Sequence, residues 1–378
     1  MAHFKKGRSI ICGIVGYIGE STNPDLTYQI TTKLFAKSEI RGIDAAGFWG
    51  TEKGIDGSVI YHKEPVRSSF FVQKQTWKDL KNHNLNLLLL HARGASKGMG
   101  DPIINKNNHP FTSLDKSVAL IHNGKIDDNE YKYLKLKYNT LSQCDSEIIL
   151  RIFEAAELYS ESFSEEEYPH RLAGIRDIFS HINLGHMAVA IGERKENDDR
   201  LLWLFRNKHR PLWLIDARET LGQIFFVSDV SIWEETISEF PDFKSEKFIQ
   251  LPQDEAWQFK VSSLQSIPNH VKRYVIKKNK NHGWQFDGNK VNPTRKDLKF
   301  NIISKLDDND KITNAEDSDN QIFKLHQKCN NIIETINDIR FNFKSMMQQN
   351  SMSEDDIKQL LFYLDEYTLQ LQNINNIS

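Results

Sequence analysis

Cys12 is the residue of this sequence most able to act as a nucleophile. Arg93 and Asp145 offer opposite charges, while Asn123 and Gly124 offer amide and backbone N–H donors. Each feature also has an ordinary structural interpretation. A single cysteine beside a strand is often a small buried hydrophobe, Arg93 and Asp145 would suit a surface ion pair, and Asn-Gly is a common turn. The residue types therefore indicate chemistry only when they occur together.

Hydrolysis of an amide needs a nucleophile, a base, donors for an oxyanion and groups that hold the substrate ends. A thiolate is intrinsically nucleophilic, so Cys12 fits the first requirement. If Cys12 were the first residue, its own α-amine could be the base, because a free α-amine titrates at about pH 8. Eleven residues, 1–11, precede it here.

Short blocks in a fixed order resemble the glutaminase domain of class II glutamine amidotransferases. That family includes glucosamine-6-phosphate synthase and amidophosphoribosyltransferase, which the blocks resemble most, and asparagine synthetase. The blocks are CGIVGYIG at 12–19, RGIDAAG at 41–47, HAR at 91–93, NHP at 108–110, HNGKI at 122–126, DSE at 145–147, GHMAV at 185–189, and the later stretches 206–212 and 228–229. Each block is short, but their order over about 250 residues makes the resemblance specific.

The resemblance implies a role for each residue of the reaction centre. Cys12 is the nucleophile, and the side chain of Asn123 with the backbone N–H of Gly124 binds the oxyanion. One such donor typically lowers the barrier by about 3 kcal/mol. Gly124 lacks a Cβ, so we expect the backbone to approach the substrate closely there. Arg41 is expected to hold the loop near Cys12.

Glutamine is the substrate that the resemblance implies. Its α-carboxylate suits the planar guanidinium of Arg93, and its α-ammonium suits Asp145. Ser96 is a possible further hydroxyl near the substrate. The reaction would run through a γ-glutamyl thioester on Cys12, with ammonia leaving first and water then releasing glutamate. No cofactor is needed for this half-reaction.

The residues before Cys12 depart from the pattern of most family members, in which removal of the initiator Met exposes the nucleophile. We expect residues 1–11 to be a leader or propeptide that is clipped off. Three functions stay open. The chain is an active glutaminase that delivers ammonia to a partner enzyme, a stand-alone γ-glutamyl hydrolase, or a silent glutamine-binding or regulatory module that keeps its leader.

Bulk composition excludes several classes of protein. The 378 residues carry a net charge of −2, which gives no overall attraction to nucleic acid. Cys12, Cys144 and Cys329 are too few for a disulfide framework. No apolar run is long enough to span a bilayer, so we expect a cytoplasmic protein without membrane contact.

Three histidines raise the question of a metal site. His91, His109 and His122 match no common ligand spacing and have no pair of cysteines beside them. We therefore expect no metal.

Short apolar strands and a few helices alternate over residues 12–262 and indicate an α+β fold. The resemblance implies the four-layer α/β/β/α sandwich of the N-terminal nucleophile hydrolases. The predicted helices are 25–37 and 147–158. The predicted strands are 10–18, 85–91, 118–122, 187–193, 201–205, 212–216, 224–227 and 257–261.

The composition changes after residue 262. Residues 271–299 hold nine Lys or Arg against two Asp, and residues 307–319 are acidic, so 263–319 is predicted to be a linker region. The basic stretch is interpreted as solvated surface, although Tyr274, Trp284 and Phe286 keep nucleic-acid binding as a less favoured alternative.

Residues 320–378 are predicted to form a helical hairpin or coiled coil. In its first helix apolar residues are spaced by three and four, and Ser351 with Glu354 forms a capping box that opens the second. We expect a separate ammonia-accepting synthase, another protein partner or a second copy of the chain to bind there. No synthase motif is found in these residues.

Overall fold

The computed structural model describes residues 12–54, 58–96, 98–156, 166–195, 199–241, 243, 248–264, 271–279 and 283–288. All of them belong to the first of the two compact units into which the chain divides, Met1–Lys305. The predicted leader 1–11, the acidic segment 307–319 and the predicted helices of 320–378 lie outside the described residues, as does Cys329.

Fourteen strands and nine α-helices occur in the described part of the chain. The strands are β1 (Gly13–Ile18), β2 (Ala45–Glu52), β3 (Val59–Glu64), β4 (Leu85–Arg93), β5 (Phe111–Thr112), β6 (Val118–Lys125), β7 (His186–Arg194), β8 (Arg200–Arg206), β9 (Trp213–Ala217), β10 (Gln223–Val227), β11 (Phe248–Gln250), β12 (Glu255–Lys260), β13 (Lys272–Asn279) and β14 (Gly283–Gly288). The helices are α1 (Pro24–Lys37), α2 (Ser68–Phe71), α3 (Gln75–Lys78), α4 (Asp128–Lys137), α5 (Ser146–Ala155), α6 (Pro169–His181), α7 (Arg218–Leu221), α8 (Val230–Ile237) and α9 (Val261–Leu264).

The described strands form two antiparallel sheets. The first has the order β11-β9-β10-β1-β4-β2-β3, and the second has the order β14-β13-β12-β8-β7-β6-β5. In the first sheet, β1 lies between β10 and β4, with Val15 opposite both Val227 and Leu90. The fold is thus a mixed α/β arrangement with antiparallel sheets, in agreement with the predicted α+β class.

Side chains of the central strands alternate between two cores. In β4, Leu87 and Leu89 pack in a core that also contains Ile121 and Ala190 of the second sheet. Leu88, from the other face of β4, packs in a second core with residues of α1 and α8. A third core joins the second sheet to α5 and α6. Because strands of this kind are apolar on both faces, their sequence is apolar without alternation.

Helix α1 confirms the first predicted helix. Its N-cap is Asn23, whose side chain accepts a hydrogen bond from the backbone N–H of Leu26 at 3.1 Å, and Pro24 occupies the first helical position. The second predicted helix, 147–158, corresponds to α5, which ends at Ala155 and is followed by a residue with extended backbone.

Other boundaries differ from the prediction. Cys12 precedes β1 instead of lying within a strand that begins at residue 10, and Val261 opens α9 instead of ending β12. The second sheet also continues past residue 262, because β13 pairs with β12 and buries Tyr274 and Ile276. Residues 272–279 and 283–288 are therefore strands within the stretch predicted as a linker.

No helix in the part of the chain that the structure describes combines the length and apolarity needed to cross a membrane. The cytoplasmic location stays a prediction.

Candidate active site

Cys12 stands directly before the central strand of the first sheet. Its half-buried Sγ is 3.5 Å from the carbonyl oxygen of Gly94, the residue that follows β4. Two hydrogen bonds fix the backbone just after it, because Ile14 donates to the Ser228 hydroxyl at 3.0 Å and accepts from the Ser228 N–H at 2.9 Å. Burial raises the pKa of the Cys12 thiol, whereas the positive charges of Arg93 and Arg41 lower it and Asp145 raises it.

Arg41 ties the backbone of Cys12 to the opposite side of the site. Its Nε donates to the Cys12 carbonyl oxygen at 3.2 Å, and its NH1 forms an ion pair with Asp229 at 2.9 Å. Asp229 is in turn the N-cap of α8, where it accepts from the N–H of Ser231. Arg41 therefore contacts the backbone of Cys12 and the cap of α8, and its role at Cys12 stays a prediction.

The rest of the RGID run fixes the loop that follows β4. A Cβ on Gly42 would lie 2.3 Å from both the Arg93 carbonyl carbon and the Gly94 nitrogen, so only glycine allows this approach. Asp44 donates its N–H to the Arg93 carbonyl at 2.9 Å and accepts from the Ala95 N–H at 2.7 Å through its carboxylate. Gly94, the Sγ contact of Cys12, is thereby held on both sides.

Asn123 is a buried amide without a partner. Its side chain is fully buried near the end of β6, and neither Oδ1 nor Nδ2 has a hydrogen-bond partner among the described residues. An orphaned buried polar group costs about 1–3 kcal/mol, so its presence requires an explanation. A donor of this kind, already desolvated, suits an oxyanion that forms only during a reaction.

Gly124 has a structural reason to be glycine that was not predicted, and the predicted approach of the substrate stays a prediction. A Cβ at this position would lie 1.8 Å from the carbonyl oxygen of His186 on the neighbouring strand β7. Glycine is needed here because β6 and β7 pack closely, whatever substrate approaches. The Asn-Gly pair is not a turn, since both residues lie within β6.

Arg93 is buried at the end of β4, with 2% of its surface exposed. Its NH1 donates to the Asn108 side chain at 2.6 Å, and its NH2 donates to the carbonyls of Met99 at 2.7 Å and Gly100 at 3.0 Å. All three acceptors are neutral. Within the described part of the chain, no carboxylate neutralises this guanidinium.

Asp145, at the start of α5, carries the charge opposite to that of Arg93. Only 3% of its surface is exposed. Its Oδ2 accepts from the Ile126 N–H at 2.8 Å, and its Oδ1 accepts from Cys144 Sγ at 3.6 Å and Ser146 Oγ at 3.4 Å. No cationic side chain among the described residues pairs with it. The alternative of a surface ion pair with Arg93 is therefore wrong, because both residues are buried and they do not pair.

Ser96 lines an open cleft of about 740 Å³ beside the loop that follows β4. The other lining residues come from that loop, from α4 and from the segment before Asp145: Ala95, Gly98, Gly100, Asp101, Pro102, Tyr131, Lys135 and Gln143. Cys12 and Asn123 do not line this cleft. The Gly94–Ser96 segment links the cleft to Cys12, because Gly94 contacts the Cys12 sulfur while Ala95 and Ser96 line the cleft.

Tyr131 connects the cleft electrostatically to the buried acids. Burial, together with the neighbouring Asp145, Cys144 and Glu147, raises the pKa of Tyr131 to about 12. Glu147 accepts hydrogen bonds from the N–H groups of Leu141 at 3.0 Å and Ser142 at 2.7 Å. It therefore holds the chain that leads into Asp145.

Two supporting residues were not predicted from the sequence. Asn108 lies in a recognised block but had no assigned role, and it binds Arg93 through Oδ1. Lys63 on β3 donates to the carbonyls of Asn108 at 2.6 Å and Pro110 at 3.1 Å. Burial lowers the pKa of Lys63 to about 8. No sequence pattern distinguishes this lysine from the other polar residues of β3.

The three histidines are buried beside this site. The rings of His91 and His109 stack with centroids 3.8 Å apart. The Nδ1 of His122 forms a hydrogen bond with the Ser146 hydroxyl at 2.8 Å. Burial lowers the pKa of His91 to about 3 and holds the pKa of His109 well below its usual value. Among the described residues, no group of three or more His, Cys, Asp or Glu is arranged to hold a metal ion.

No protein-family model matches the chain. It is similar to enzymes named glutamine–fructose-6-phosphate aminotransferase (isomerizing). The one from Fusobacterium nucleatum subsp. nucleatum is 31% identical over 237 residues, which are 58% of this chain and 32% of that enzyme. The one from Bacillus thuringiensis subsp. konkukian is 29% identical over 204 residues, 52% of this chain and 29% of that enzyme. The chain thus matches about a third of the length of these relatives.

Two solved structures are similar in part. One is a Bacillus subtilis glutamine phosphoribosylpyrophosphate amidotransferase complexed with ADP and GMP, at 14% identity and a TM-score of 0.46, covering 73% of this chain and 49% of that one. The other is a predicted glutamine amidotransferase from Pseudomonas aeruginosa PA01, at 13% identity and a TM-score of 0.34, covering 66% of this chain and 97% of that one.

Proposed function

Since this chain carries a class II glutamine amidotransferase domain, we propose that it hydrolyses the side-chain amide of glutamine through a γ-glutamyl thioester on Cys12. The observation that carries the proposal is the pair of buried, unpaired charges of Arg93 and Asp145. Two uncompensated buried charges of opposite sign are costly unless a ligand neutralises both. A free amino acid does so, because it presents one carboxylate and one ammonium.

In the proposed reaction, the Cys12 thiolate attacks the side-chain carbonyl carbon of glutamine. The carbonyl oxygen becomes an oxyanion, which the Asn123 amide and the Gly124 N–H stabilise. The C–N bond then breaks, and ammonia leaves after taking up a proton. Water attacks the thioester and releases glutamate and the thiol. The sum is glutamine and water converted to glutamate and ammonia.

The base in this scheme is the α-amine of Cys12, and residues 1–11 are proposed to be removed before it can act. A retained leader makes this nitrogen an amide, which cannot accept the proton. Arg41 donates to the Cys12 carbonyl and so orients the residue, a contact that does not depend on the leader. A chain that keeps residues 1–11 is the silent alternative.

The four-layer α/β/β/α sandwich is proposed for residues 12–262. The three cores support it, since one contains side chains of both sheets and each of the others joins one sheet to helices. The pairing of β13 with β12 extends the second sheet beyond residue 262 and leaves the proposed order of the four layers unchanged.

Delivery of the ammonia to a separate synthase is a further part of the proposal. The spacing of apolar residues in 320–378 supports it, because it predicts helices that would serve as a docking segment. A stand-alone γ-glutamyl hydrolase is the alternative, and faster cleavage of γ-glutamyl peptides than of glutamine would favour it.

The test compares glutamate and ammonia release by a chain that begins at Cys12 and by the full chain of 378 residues. We expect equal amounts of both products from the chain that begins at Cys12, and no turnover after Cys12→Ala. Cys329→Ala is the matched control and should leave turnover unchanged. Turnover by Cys12→Ala would overturn the proposal, and turnover by a chain shown by mass to retain residues 1–11 would overturn the role of the α-amine.

A further inference from the structure

Arg210 lies on the connection between β8 and β9, which crosses from the second sheet to the first. The NH1 of Arg206 donates to the carbonyl of Asn207 at 3.3 Å and to that of Arg210 at 3.2 Å, so the connection is fixed at its start and end. The Asn207 side chain accepts from the Met187 N–H at 2.8 Å. Met187 is the residue opposite Gly124 in the β6–β7 pairing. The connection therefore begins beside β7, the strand that pairs with the one that carries Gly124.

The other end of the connection leads into β9, at the end of the first sheet where β1 begins. Trp213, the first residue of β9, pairs with Val227, the last residue of β10. The next residue, Ser228, bonds both ways to Ile14, two positions after Cys12. Residues 207–212 therefore run from the neighbourhood of Met187, which is opposite Gly124, to Trp213, which is opposite Val227, at the end of the sheets where the nucleophile lies.

The guanidinium of Arg210 is not neutralised within the described part of the chain. The residue is half-buried, its Nε is buried without a hydrogen-bond partner, and no described carboxylate forms an ion pair with it. Burial lowers the pKa of Arg210, repulsion from Arg41 lowers it further, and attraction to Cys12 raises it. Arg210, Arg41 and Cys12 thus act on one another.

The charged residues around Cys12 differ in which group neutralises each of them. Arg93, Asp145 and Arg41 shift the pKa of the Cys12 thiol, and Cys12 in turn shifts the pKa of Arg210. Arg41 is paired with Asp229. Under the proposed function, on which this step rests, the carboxylate and ammonium of glutamine neutralise Arg93 and Asp145. Among these described groups, Arg210 is then the cation whose charge stays uncompensated when the substrate is bound.

We propose that Arg210 stabilises the thiolate of Cys12 and keeps it ionised while glutamine occupies the site. The Sγ proton passes to the Cys12 α-amine where that is free, or to water, and Arg210 keeps its own protons throughout. Arg210 acts through the thiolate and does not touch the substrate. A cation is effective here because burial by itself favours the neutral thiol.

The experiment measures the rate of Cys12 alkylation by iodoacetamide as a function of pH, with peptide mass analysis to separate Cys12 from Cys144 and Cys329. We expect Arg210→Gln to move the profile to higher pH and to slow alkylation at neutral pH about three- to tenfold, which corresponds to about half to one pKa unit. Arg210→Lys should restore most of the rate. Lys208→Gln, which removes an exposed positive charge two residues away, should leave the profile unchanged.

Three outcomes would overturn the inference. These are superposable profiles for the wild type and Arg210→Gln, failure of Arg210→Lys to restore the rate, or an equal shift in Lys208→Gln. Buried Cys144 reports on folding, since it stays unreactive in a folded variant. Alkylation requires no glutamine. An Arg210 effect in a chain that releases no glutamate would therefore contradict the proposed function and leave the thiolate effect standing.

Discussion

Arg93 and Asp145 carry opposite charges in one buried site and do not pair with each other. Arg93 is held by neutral oxygens of Met99, Gly100 and Asn108, and Asp145 is held by N–H, thiol and hydroxyl donors of neighbouring residues. Each charge is therefore positioned by the fold and left for a ligand to neutralise. Substrate selectivity follows from this arrangement.

Asp145→Asn should remove the preference for a substrate with an α-ammonium. The KM for glutamine should rise about ten- to hundredfold, because a charge-assisted hydrogen bond is lost. Glutaramate, which lacks the α-amine, should be affected little. The measurement is kcat/KM for both amides. Asp101→Asn is the control, an exposed acid that lines the neighbouring cleft, and it should alter neither value. An Asp145→Asn enzyme that still prefers glutamine as strongly would contradict the assignment.

Asn123→Leu should separate catalysis from stability. We expect kcat to fall about 100- to 1000-fold with little change in KM, because an oxyanion donor acts in the transition state. The free energy of unfolding should stay equal or rise, because the amide has no partner among the described residues. Steady-state kinetics and urea unfolding measure the two quantities.

Asn86→Leu is the matched control for that substitution. Asn86 is also buried, but its Oδ1 accepts from the Thr51 hydroxyl at 3.0 Å. Its replacement should lower the free energy of unfolding and leave kcat unchanged. A loss of stability in Asn123→Leu as large as in Asn86→Leu would show that the Asn123 amide supports the fold.

Gly124→Ala should force β6 away from β7, since the added Cβ would meet the His186 carbonyl at 1.8 Å. We expect a loss of about 1–3 kcal/mol in the free energy of unfolding, together with a fall in kcat as the Gly124 N–H moves. Gly50→Ala provides the comparison, because its nearest contact would be a Leu88 side-chain atom at 3.1 Å. Equal stability of the two variants would contradict the packing explanation.

Stability should fall in acid because of the buried histidines. The pKa of His91 is about 3 in the folded protein, and that of His109 is also depressed, whereas an unfolded histidine titrates at about 6.5. Below pH ~6.5 the unfolded chain therefore binds more protons than the folded chain. Each such group can reduce the free energy of unfolding by up to about 1.4 kcal/mol per pH unit. Urea unfolding between pH 7 and pH 5 measures the slope, and His109→Phe should make it shallower.

Leu120→Ala distinguishes this effect from general destabilisation. Leu120 is fully buried and carries no titrating group, so its replacement should lower the free energy of unfolding equally at every pH. An unchanged slope in His109→Phe would show that His109 is not responsible for the acid sensitivity.

The sequence predicted those parts of the fold whose side chains are apolar on both faces or at helical spacing. The runs of β4 and β6, and Ile30 and Leu34 of α1, are of this kind. Helix α4 was missed because Leu134 is its one fully buried residue. Its sequence therefore lacks apolar residues at helical spacing. Strand β13 was missed because three lysines and one arginine surround its buried residues Tyr274 and Ile276, so the segment has no strand-like apolar pattern.

The site was predicted by residue type and block order, whereas its supporting contacts were not. The order of the blocks identified Cys12, Arg93 and Asp145. It gave no sign that Lys63, on β3, would hold the chain around Asn108, since that contact joins residues distant in sequence. The reason for glycine at 124 was also missed, because it depends on the distance between two strands.

The most direct test of the central claim is mass analysis of the acyl intermediate. The chain that begins at Cys12 is mixed with glutamine, quenched in acid during turnover and digested, and the peptides with Cys12 and Cys144 are weighed. The account predicts one γ-glutamyl group on the Cys12 peptide, removed by mild alkali as a thioester is, and none on the Cys144 peptide. Glutamate release with an unmodified Cys12 peptide, or acylation at another residue, would contradict it.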